Sequence, residues 1–359
     1  MFKDVKKILI FKLCCYGDAV FITPSIKSLK KNFPDARIIY AHSKWIESMM
    51  EYIPFIDGHI LFENVYSKSV LKKIAGAVKF IVNVRKEKFD LVYFGHRSNL
   101  LSFILMLSGI RYRLGFDETK FLTHTGKFIK TLPEYKRYLN ILSENNLRTI
   151  NSKPELKPLY SEKAREILGL RADEKLLGIY SEGGHNPGTK MEIKKWGFGN
   201  FLRLAEMINC EFPEIKIVFF EGTYEDEKIN LPDGIKAYKK TISNELISCC
   251  DYFISGDTGS LHMAAAMGVS TLSIFGPSDP RVLAPVNDEE TPNKHKTIWK
   301  KPACSPCYTP DTAIDKSNKK YWQDGGFICH TETHECMKSI SPEDVFFQFT
   351  KMLDLVNQD

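Results

Sequence analysis

The sequence predicts an α/β protein made of two doubly wound parallel-sheet domains. Short apolar runs alternate with helical patterns in both halves of the 359-residue chain, an order that favours parallel sheets covered by helices on both faces. The segment at 149–160 is polar and carries two prolines, as linkers between domains often do. An apolar content of 43% is enough for two cores. We therefore expect one domain at 1–155, a second at 156–338, and a terminal helix at 339–359 that can pack back on the first domain.

The first half begins with an apolar strand at 6–13 that is followed by a helix. Thr23 and Pro24 mark the start of that helix, because threonine caps helices and proline fits their first turn. Two further repeats of strand and helix follow, with strands at 36–42 and 89–95 and helices at 43–52 and 98–108.

The second half repeats this alternation. Ser341 and Pro342 predict the start of the terminal helix. In doubly wound sheets, ligands bind beyond the carboxyl ends of the strands, so the loops that follow the strands are expected to hold the site. The predicted strands are 175–183, 216–222, 252–257 and 269–276, and the predicted helices are 197–210, 243–250 and 260–267.

Charge is distributed unevenly along the chain. The formal net charge is +6, but residues 1–150 carry 25 basic and 13 acidic side chains, a net charge of +12, and the remaining residues carry a net charge of −6. The first domain therefore attracts anions such as phosphate or acidic headgroups more strongly than the second. A nucleic-acid-binding protein is the less favoured alternative, because the basic residues are not organised around a recognition helix or an aromatic RNA-binding platform. We therefore expect no nucleic acid as a partner.

The sequence indicates neither secretion nor a membrane span. The N-terminal stretch is basic, but its apolar run is interrupted by Lys12 and no small-residue cleavage site follows. The longest apolar run, 100–110, is about half of the roughly 20 residues that a transmembrane helix needs. Nine cysteines, with adjacent pairs at 14–15 and 249–250, do not resemble a secreted disulfide framework. We therefore expect a protein of the reducing cytoplasm.

Residues 255–266 form the first of three segments that predict chemistry. They join a strand to an alanine-rich helix, and the N-terminus of such a helix attracts anions through its N–H groups. Gly259 lets the backbone approach a phosphate closely, and Thr258 and His262 add polar side chains at the same end. The segment therefore predicts a phosphate site, with a simple helix capped by Asp257 as the alternative.

A glycine-rich loop after the first strand of the second domain is the second segment. It contains Ser181, Gly183 and Gly184, and three lysines follow before the next helix. Such a loop can surround a diphosphate and neutralise it as a leaving group. Its spacing matches neither a P-loop nor a dinucleotide-binding G-x-G-x-x-G, so the sequence favours neither an NTPase nor a dehydrogenase. A solvated turn with surface lysines is the alternative.

Gly17 and Asp18, in the loop after the first strand, form the third segment. A carboxylate at this end of a strand faces the expected ligand site, and a desolvated Asp can accept a proton from a hydroxyl nucleophile. An Asp after Gly is also common as a turn or cap residue, which is the alternative here.

Together and in this order, the three segments resemble the ADP-heptose-dependent heptosyltransferases of glycosyltransferase family 9. The resemblance covers nearly the whole chain and is most specific in the run D-T-G-S-L-H at 257–262, followed by F-G-P at 275–277. It implies a GT-B fold of two Rossmann-like domains with a cleft between them, the acceptor on the first and the nucleotide sugar on the second. It also implies an inverting transfer of heptose from ADP-heptose to a lipopolysaccharide core acceptor, with no cofactor required for the chemistry.

The resemblance also implies roles for single residues. Asp18 takes the position of the general base, and Lys194 takes that of a lysine that faces the donor diphosphate. Glu225 loosely matches an acidic residue that contacts ribose. The remaining residues of the implied nucleotide-sugar site are Gly17, Ser181, Gly183, Gly184, Asp257, Thr258, Gly259 and His262.

The sequence departs from the family pattern near the second and third segments. The loop 183–193 is longer than usual, so Lys190 or Lys195 could supply the charge in place of Lys194. An adjacent pair of cysteines just before Gly17 stands where small residues are common.

Four cysteines lie in the loop 304–336 of the second domain. Cys304 and Cys307 are spaced as C-x-x-C in a turn-rich segment, and Cys329 and Cys336 follow. Four thiolates in one loop suit structural Zn or Fe, with reduced cysteines as the alternative. The branch of the family that adds heptose to autotransporter proteins resembles this chain in having a four-cysteine iron finger. A protein acceptor is therefore an alternative to a lipid-linked oligosaccharide.

A basic segment at 68–88 and two arginines indicate where the acceptor binds. The lysines of the segment alternate with apolar residues at helical spacing, which is typical of a helix on an anionic membrane surface or of an ordinary solvated helix. Arg111 and Arg113 could hold phosphate or carboxylate groups of the acceptor. These features favour a cytoplasmic enzyme with peripheral contact to the inner membrane, with a GT-B-fold epimerase, which needs no acceptor, as a further alternative.

Overall fold

The computed structural model describes residues 2–159, 162–183, 185–186, 189–220, 235–238 and 244–356. The chain divides into two compact units, Met1–Lys157 and Pro158–Asp359. This division falls two residues after the boundary that the polar linker predicts.

The first unit is built on a six-stranded sheet in which all neighbouring strands are parallel. Its strands are β1 (Lys7–Phe11), β2 (Arg37–His42), β3 (Gly58–Leu61), β4 (Leu91–Phe94), β5 (Tyr112–Phe116) and β6 (His124–Gly126). The order across the sheet is β3-β2-β1-β4-β5-β6. The winding reverses between β1 and β4, which is where doubly wound sheets bind their ligands.

Helices bury both faces of this sheet. They are α1 (Tyr16–Phe21), α2 (Thr23–Asn32), α3 (Val70–Glu87), α4 (Asn99–Leu107) and α5 (Glu134–Glu144), with a 3-10 helix at Lys44–Met49. Phe94 and Phe11 on one face join the core that Phe80 of α3 completes. On the other face, the hydroxyl of Tyr93 donates to the main-chain oxygen of Tyr138 in α5 at 2.5 Å. Burial on both faces explains the nearly continuous apolar sequence of the central strands.

The second unit contains a second parallel six-stranded sheet and a small four-stranded one. Its strands are β7 (Lys175–Tyr180), β8 (His185–Asn186), β9 (Thr189–Lys190), β10 (Ile215–Phe220), β11 (Ile235–Tyr238), β12 (Tyr252–Gly256), β13 (Ser270–Ile274), β14 (His295–Ile298), β15 (Trp322–Gln323) and β16 (Gly326–Phe327). The large sheet has the order β11-β10-β7-β12-β13-β14, and the small sheet has the order β15-β16-β9-β8. The winding of the large sheet reverses between β7 and β12.

The terminal helix fills part of the core of the second unit. Val345, Phe349 and Met352 are fully buried in that core, and the ring of Phe349 lies 5.6 Å from the ring of Tyr252. The apolar face of this helix thus packs in the core of the second unit, whereas the sequence also allowed it to pack on the first domain.

The helices of the second unit are α6 (Glu162–Leu168), α7 (Phe198–Glu211), α8 (Asn244–Ser248), α9 (Gly259–Ala266), α10 (Pro280–Leu283), α11 (Pro310–Ile314), α12 (Glu335–Lys338) and α13 (Pro342–Val356), with a 3-10 turn at Glu192–Lys194.

The two parallel sheets confirm the predicted fold class. The predicted helix at 43–52 forms as the 3-10 helix Lys44–Met49. Edge strands such as β3, β6 and β14 were not predicted, because they are short and carry little apolar pattern. In the part of the chain that the structure describes, no helix is both long enough and apolar enough to cross a membrane.

Candidate active site

The second unit gathers Lys194, Asp257 and His262 into one buried cluster. Lys194 Nζ lies 2.5 Å from Asp257 Oδ2, and His262 Nε2 lies 3.3 Å from Asp257 Oδ1. Burial acts to raise the pKa of Asp257, but the Lys194 ammonium and the His262 ring hold the pKa of this carboxyl well below its usual range. Asp257 is therefore an ionised carboxylate that fixes a cation at the carboxyl end of β12.

Lys194 is positioned by buried residues on either side of it. It ends the 3-10 turn, in which Ile193 is buried. Two residues later, the indole Nε1 of Trp196 donates to the main-chain oxygen of Ile340 at 2.8 Å. A Cβ placed on Gly256 would lie 3.3 Å from the main-chain oxygen of Lys194, so the turn packs directly against the end of β12. These contacts leave the lysine backbone little freedom.

The cap of α9 is Thr258. Its Oγ1 accepts from the backbone N–H of Leu261 at 3.3 Å and lies 3.0 Å from the hydroxyl oxygen of Ser255. The alternative prediction, in which Asp257 caps this helix, is therefore wrong. The Asp257 carboxylate accepts hydrogen bonds from Lys194 and His262 instead. The positive end of α9, which begins at Gly259, lies next to the Lys194 ammonium, and together they form an anion-binding arrangement.

Gly183 belongs to a loop that packs against this cap. Its φ is +129°, and a Cβ added there would come within 2.4 Å of Thr258 Cγ2, so only glycine fits. Ser181, in the same loop, is buried. Two further residues of the predicted donor site, Gly184 and Glu225, lie outside the described residues.

The structure gives different surroundings to Lys190, Lys194 and Lys195, the three lysines that the sequence left as alternatives for contacting the donor diphosphate. Lys195 Nζ pairs with Glu182 at 2.9 Å and with Glu192 at 3.0 Å. Burial acts to lower the pKa of Lys195, but these two carboxylates raise it above its usual value. Lys190 is exposed in β9. Only Lys194, among these three, contacts Asp257 beside α9.

In the first unit, Asp18 forms an ion pair with Lys12 at the end of β1. Asp18 lies in the first turn of α1, with Gly17 before it. Lys12 Nζ lies 3.1 Å from Asp18 Oδ2 and donates to the main-chain oxygen of Gly95 at 3.0 Å. Burial acts to lower the pKa of Lys12, but the Asp18 charge raises it well above the usual value. The lysine side chain is 8% exposed and that of Asp18 is 30% exposed, so the carboxylate is the more accessible member of the pair.

His96 and Arg97 lie at the same edge of the sheet, directly after β4. His96 Nε2 accepts from the backbone N–H of Leu13 at 2.8 Å, and burial together with the Lys12 charge holds its pKa well below the usual value. Arg97 pairs with Glu118 at 2.7 Å. Neither residue was predicted, although a histidine and an arginine directly after a buried strand are a signal that could have identified them.

Arg111 and Arg113 are not part of this group. They lie at the amino end of β5, and the Asp18 group lies at the carboxyl edge of the same parallel sheet. Arg113 donates to the main-chain oxygens of Phe121 at 2.8 Å and Ile110 at 2.6 Å. Its guanidinium therefore holds a loop together, and the structure does not bring either arginine to Asp18.

The four cysteines of the loop 304–336 converge without closing around a common point. Burial and the neighbouring cysteines raise the pKa of Cys307 to about 11 and that of Cys336 to about 12. In the described part of the chain, candidate ligand atoms of three or more side chains lie within 4.8 Å of one another only at Cys14, Cys15 and Asp18. Sulfurs in a tetrahedral zinc site lie about 3.8 Å apart, so a single ion would require the four thiols to move closer together. Their metal content stays a prediction for elemental analysis.

Known proteins resemble this chain over almost its entire length. Lipooligosaccharide heptosyltransferase 2 of Campylobacter jejuni is 26% identical, over 97% of this chain and 98% of that protein. The solved structure of the Escherichia coli ADP-heptose lps heptosyltransferase II has a TM-score of 0.72 at 16% identity, over 98% of this chain and 100% of that one. A glycosyltransferase family 9 protein from Veillonella parvula has a TM-score of 0.77 at 20% identity, over 98% of both chains. The GT-B fold class implied by the sequence is thus confirmed.

The family model described as glycosyltransferase family 9 (heptosyltransferase) matches residues 78–310. This range spans β4 to β14, including Lys194 and the run from Asp257 to His262. Because the match extends over more than half of the chain, the protein belongs to glycosyltransferase family 9 and is a glycosyltransferase.

Proposed function

We propose that this protein transfers a heptose from ADP-heptose to a sugar of a lipooligosaccharide or lipopolysaccharide core, with inversion at the anomeric carbon. The observation that carries the proposal is the cluster of Lys194, Asp257 and His262 at the start of α9. It combines an ammonium with a helix N-terminus, which is what a nucleoside diphosphate needs as it departs. The names of the relatives supply the heptose, its ADP carrier and the lipooligosaccharide.

The donor half of the reaction uses charge that is held in place before the donor arrives. Asp257 holds the Lys194 ammonium at 2.5 Å, so little side-chain entropy is lost when the diphosphate binds. As the bond between the anomeric carbon and the diphosphate oxygen breaks, negative charge grows on that oxygen. The ammonium and the N–H groups of α9 then stabilise this charge more strongly than that of the intact donor.

The acceptor half uses Asp18 as a general base. Its carboxylate accepts the proton of an acceptor hydroxyl while the hydroxyl oxygen bonds to the anomeric carbon and ADP leaves. Lys12, at 3.1 Å, orients the carboxylate. His96 is neutral and accepts from the N–H of Leu13, which fixes the segment between β1 and α1.

A panel of ligands and acceptors tests this proposal. We expect ADP and ADP-heptose to raise the melting temperature more than UDP- or GDP-linked counterparts. We also expect the oligosaccharide acceptor to gain the mass of one heptose residue. A preference for UDP compounds would overturn the donor assignment, and consumption of donor without acceptor would indicate an epimerase. Heptose on a peptide rather than on the oligosaccharide would replace the lipid-linked acceptor with a protein.

We further propose that α3 holds the first unit against an anionic membrane. Its inward face buries Gly76, Phe80 and Val84. A second apolar stripe on the same helix faces solvent, with exposures of 68% for Val70, 79% for Leu71, 55% for Ile74, 55% for Val78 and 43% for Val82. An apolar stripe of this kind beside lysines suits a bilayer with acidic headgroups. The exposed basic residues that accompany it are Lys68, Lys72, Lys73, Lys79, Arg85, Lys86 and Lys88.

Flotation with vesicles tests this contact. We expect the protein to float with vesicles that contain acidic lipid and not with neutral vesicles, and expect the double variant Leu71→Glu, Ile74→Glu to stay behind. Ile314→Glu, which changes an equally exposed side chain in the other unit (58%), is the matched control and should float like the unmodified protein. Equal flotation of the double variant would exclude this face as the contact.

A further inference from the structure

We propose that Cys14, Cys15 and Asp18 form a binding site for a thiophilic divalent cation such as Zn²⁺. The two sulfurs and a carboxylate oxygen all lie within 4.8 Å of one another. This inference concerns metal binding and goes beyond the transfer reaction.

The backbone at Cys15 brings the three side chains together. Successive residues of an extended chain place their side chains on opposite sides, but Cys15 has a φ of +69° and caps α1. The sulfurs of Cys14 and Cys15 consequently lie 3.3 Å apart, and Asp18 follows one turn later on the helix. Two thiolates that share a tetrahedral zinc ion lie about 3.8 Å apart, so an ion requires only a small separation of the sulfurs.

The type and charge of the ligands suit Zn²⁺. Two thiolates and one carboxylate are three of the donors that zinc prefers, with the fourth position left for water. Asp18 is already balanced by the Lys12 ammonium at 3.1 Å. When the ion binds, the two thiols release their protons to solvent, and the two thiolate charges balance the two charges of the ion. Binding therefore adds no net charge to this partly buried site.

The other adjacent pair, Cys249 and Cys250, shows what is specific to this site. Both cysteines are buried, and each Sγ donates to the main-chain oxygen of Leu246 at 3.3 Å. Within the described residues, no third ligand lies close to that pair. Cys14, Cys15 and Asp18 are all partly exposed, so an ion in solution can reach them.

An ion at this site also occupies the carboxylate of Asp18. If Asp18 is the general base, Zn²⁺ inhibits transfer, and a chelator restores it. This consequence rests on the proposed function, whereas metal binding does not. The binding experiments therefore use the full chain without donor or acceptor.

Competition with a chromophoric chelator for Zn²⁺ counts the bound ions. We expect the unmodified protein to hold one equivalent more than the double variant Cys14→Ser, Cys15→Ser. Because the count is a difference between proteins that share the loop 304–336, any zinc in that loop cancels. Asp18→Asn should weaken the site by at least about tenfold, and Cys210→Ser, at an exposed cysteine elsewhere, should change nothing. Equal counts for all four proteins would overturn the proposal.

Alkylation of the unmodified protein gives a measurement that needs no variant. We expect Zn²⁺ to slow the reaction of Cys14 and Cys15 with iodoacetamide by tenfold or more, as followed by peptide mass spectrometry, and to leave Cys210 unchanged. Unchanged rates at Cys14 and Cys15 would overturn the proposal even if the serine variant failed to fold.

Discussion

Each unit contains a lysine–aspartate pair beside the first turn of a helix, but the two pairs present opposite charges. In the first unit the lysine is the more buried partner, with Lys12 8% exposed and Asp18 30% exposed. In the second unit the aspartate is the more buried partner, with Asp257 7% exposed and Lys194 14% exposed. The same ion pair thus offers a carboxylate to its surroundings in one unit and an ammonium in the other.

This difference matches the two halves of a glycosyl transfer. An acceptor hydroxyl needs a base, and a departing nucleoside diphosphate needs a cation. Which member of the pair is buried decides which chemistry the unit can perform, because the buried member only balances the charge of the accessible one. Variants of both pairs and of their surroundings test this asymmetry.

Replacing the accessible carboxylate should have the largest effect. We expect Asp18→Asn to lower kcat by about a thousandfold, within the range of general base catalysis, and to leave donor affinity unchanged. Asp35→Asn, at an exposed site in the same unit, is the matched control. Quenched assays of heptose transfer and calorimetry with ADP measure the two quantities. Normal turnover of Asp18→Asn would remove Asp18 from the reaction.

Removing the lysine should destabilise the second unit more than the first. Lys194→Met leaves the Asp257 carboxylate buried without its cation, which typically costs about 3–5 kcal/mol and should also weaken ADP binding. Lys12→Met leaves Asp18 partly hydrated, so we expect a smaller loss of stability. Denaturant unfolding and ADP calorimetry of the two variants give the comparison, with Lys195→Met as the control for donor binding. Equal losses at both positions would contradict the asymmetry.

The two units should respond to acid in different pH ranges. Burial holds the pKa of His96 well below normal, so below about pH 6.5 the proton binds mainly to the unfolded chain and stability falls by up to about 1.4 kcal/mol per pH unit. The pKa of Asp257 is also lowered. Its contribution is fully present above the unfolded value of about 3.9 and is lost as the pH falls below it.

Unfolding free energies at a series of pH values measure this difference. His96→Asn should flatten the pH dependence between pH 7 and 5, because asparagine can still accept from Leu13 but does not titrate. Asp257→Asn should flatten it only below about pH 4. Parallel curves for both variants and the unmodified protein would show that neither group controls acid stability.

A glycine variant should have the smallest effect. Gly183→Ala places a Cβ 2.4 Å from Thr258 Cγ2 at a φ of +129°, so we expect a loss of about 1–3 kcal/mol that appears mainly as weaker ADP binding. Gly199→Ala, where a Cβ meets nothing within 4 Å in α7, should be neutral or slightly stabilising. If the two variants behave alike, the loop does not support the cap of α9.

The sequence predicted the strands at the centre of each sheet because their apolar runs are long and bounded by polar loops. It also indicated Asp18, Lys194 and the run from Asp257 to His262 as candidate site residues, partly through the family resemblance, and their roles stay predictions. The sequence did not indicate Lys12 as a site residue. In the sequence it only interrupts an apolar N-terminal run, and its pairing with Asp18 exists only once β1 and α1 are folded. Ion pairs between residues on different elements leave no local pattern in the sequence. For the same reason, the ion pair between Lys194 and Asp257 could not be predicted.

The two arginines show that a residue type can suggest a ligand without indicating the position of the residue in the fold. Arg111 and Arg113 were attractive because guanidinium groups bind phosphate, but their place relative to the sheet depends on where β5 begins. Since β5 starts at Tyr112, both arginines stand at its amino end, away from the edge that carries Asp18. No strand was predicted at 112–116, so the sequence pattern could not show at which end of the sheet the two arginines lie.

The hydrogen bond from Trp196 to Ile340 has a consequence for the order in which the enzyme is made. It joins residues 144 positions apart and anchors the segment that carries Lys194. The first unit, with Asp18, has all of its strands before residue 158, so it can fold while the ribosome is still adding the second. The segment that carries Lys194, in contrast, can be anchored only after Ile340 has been synthesised. We therefore expect nascent chains to fold around Asp18, the proposed base, before they can bind ADP at the proposed donor site.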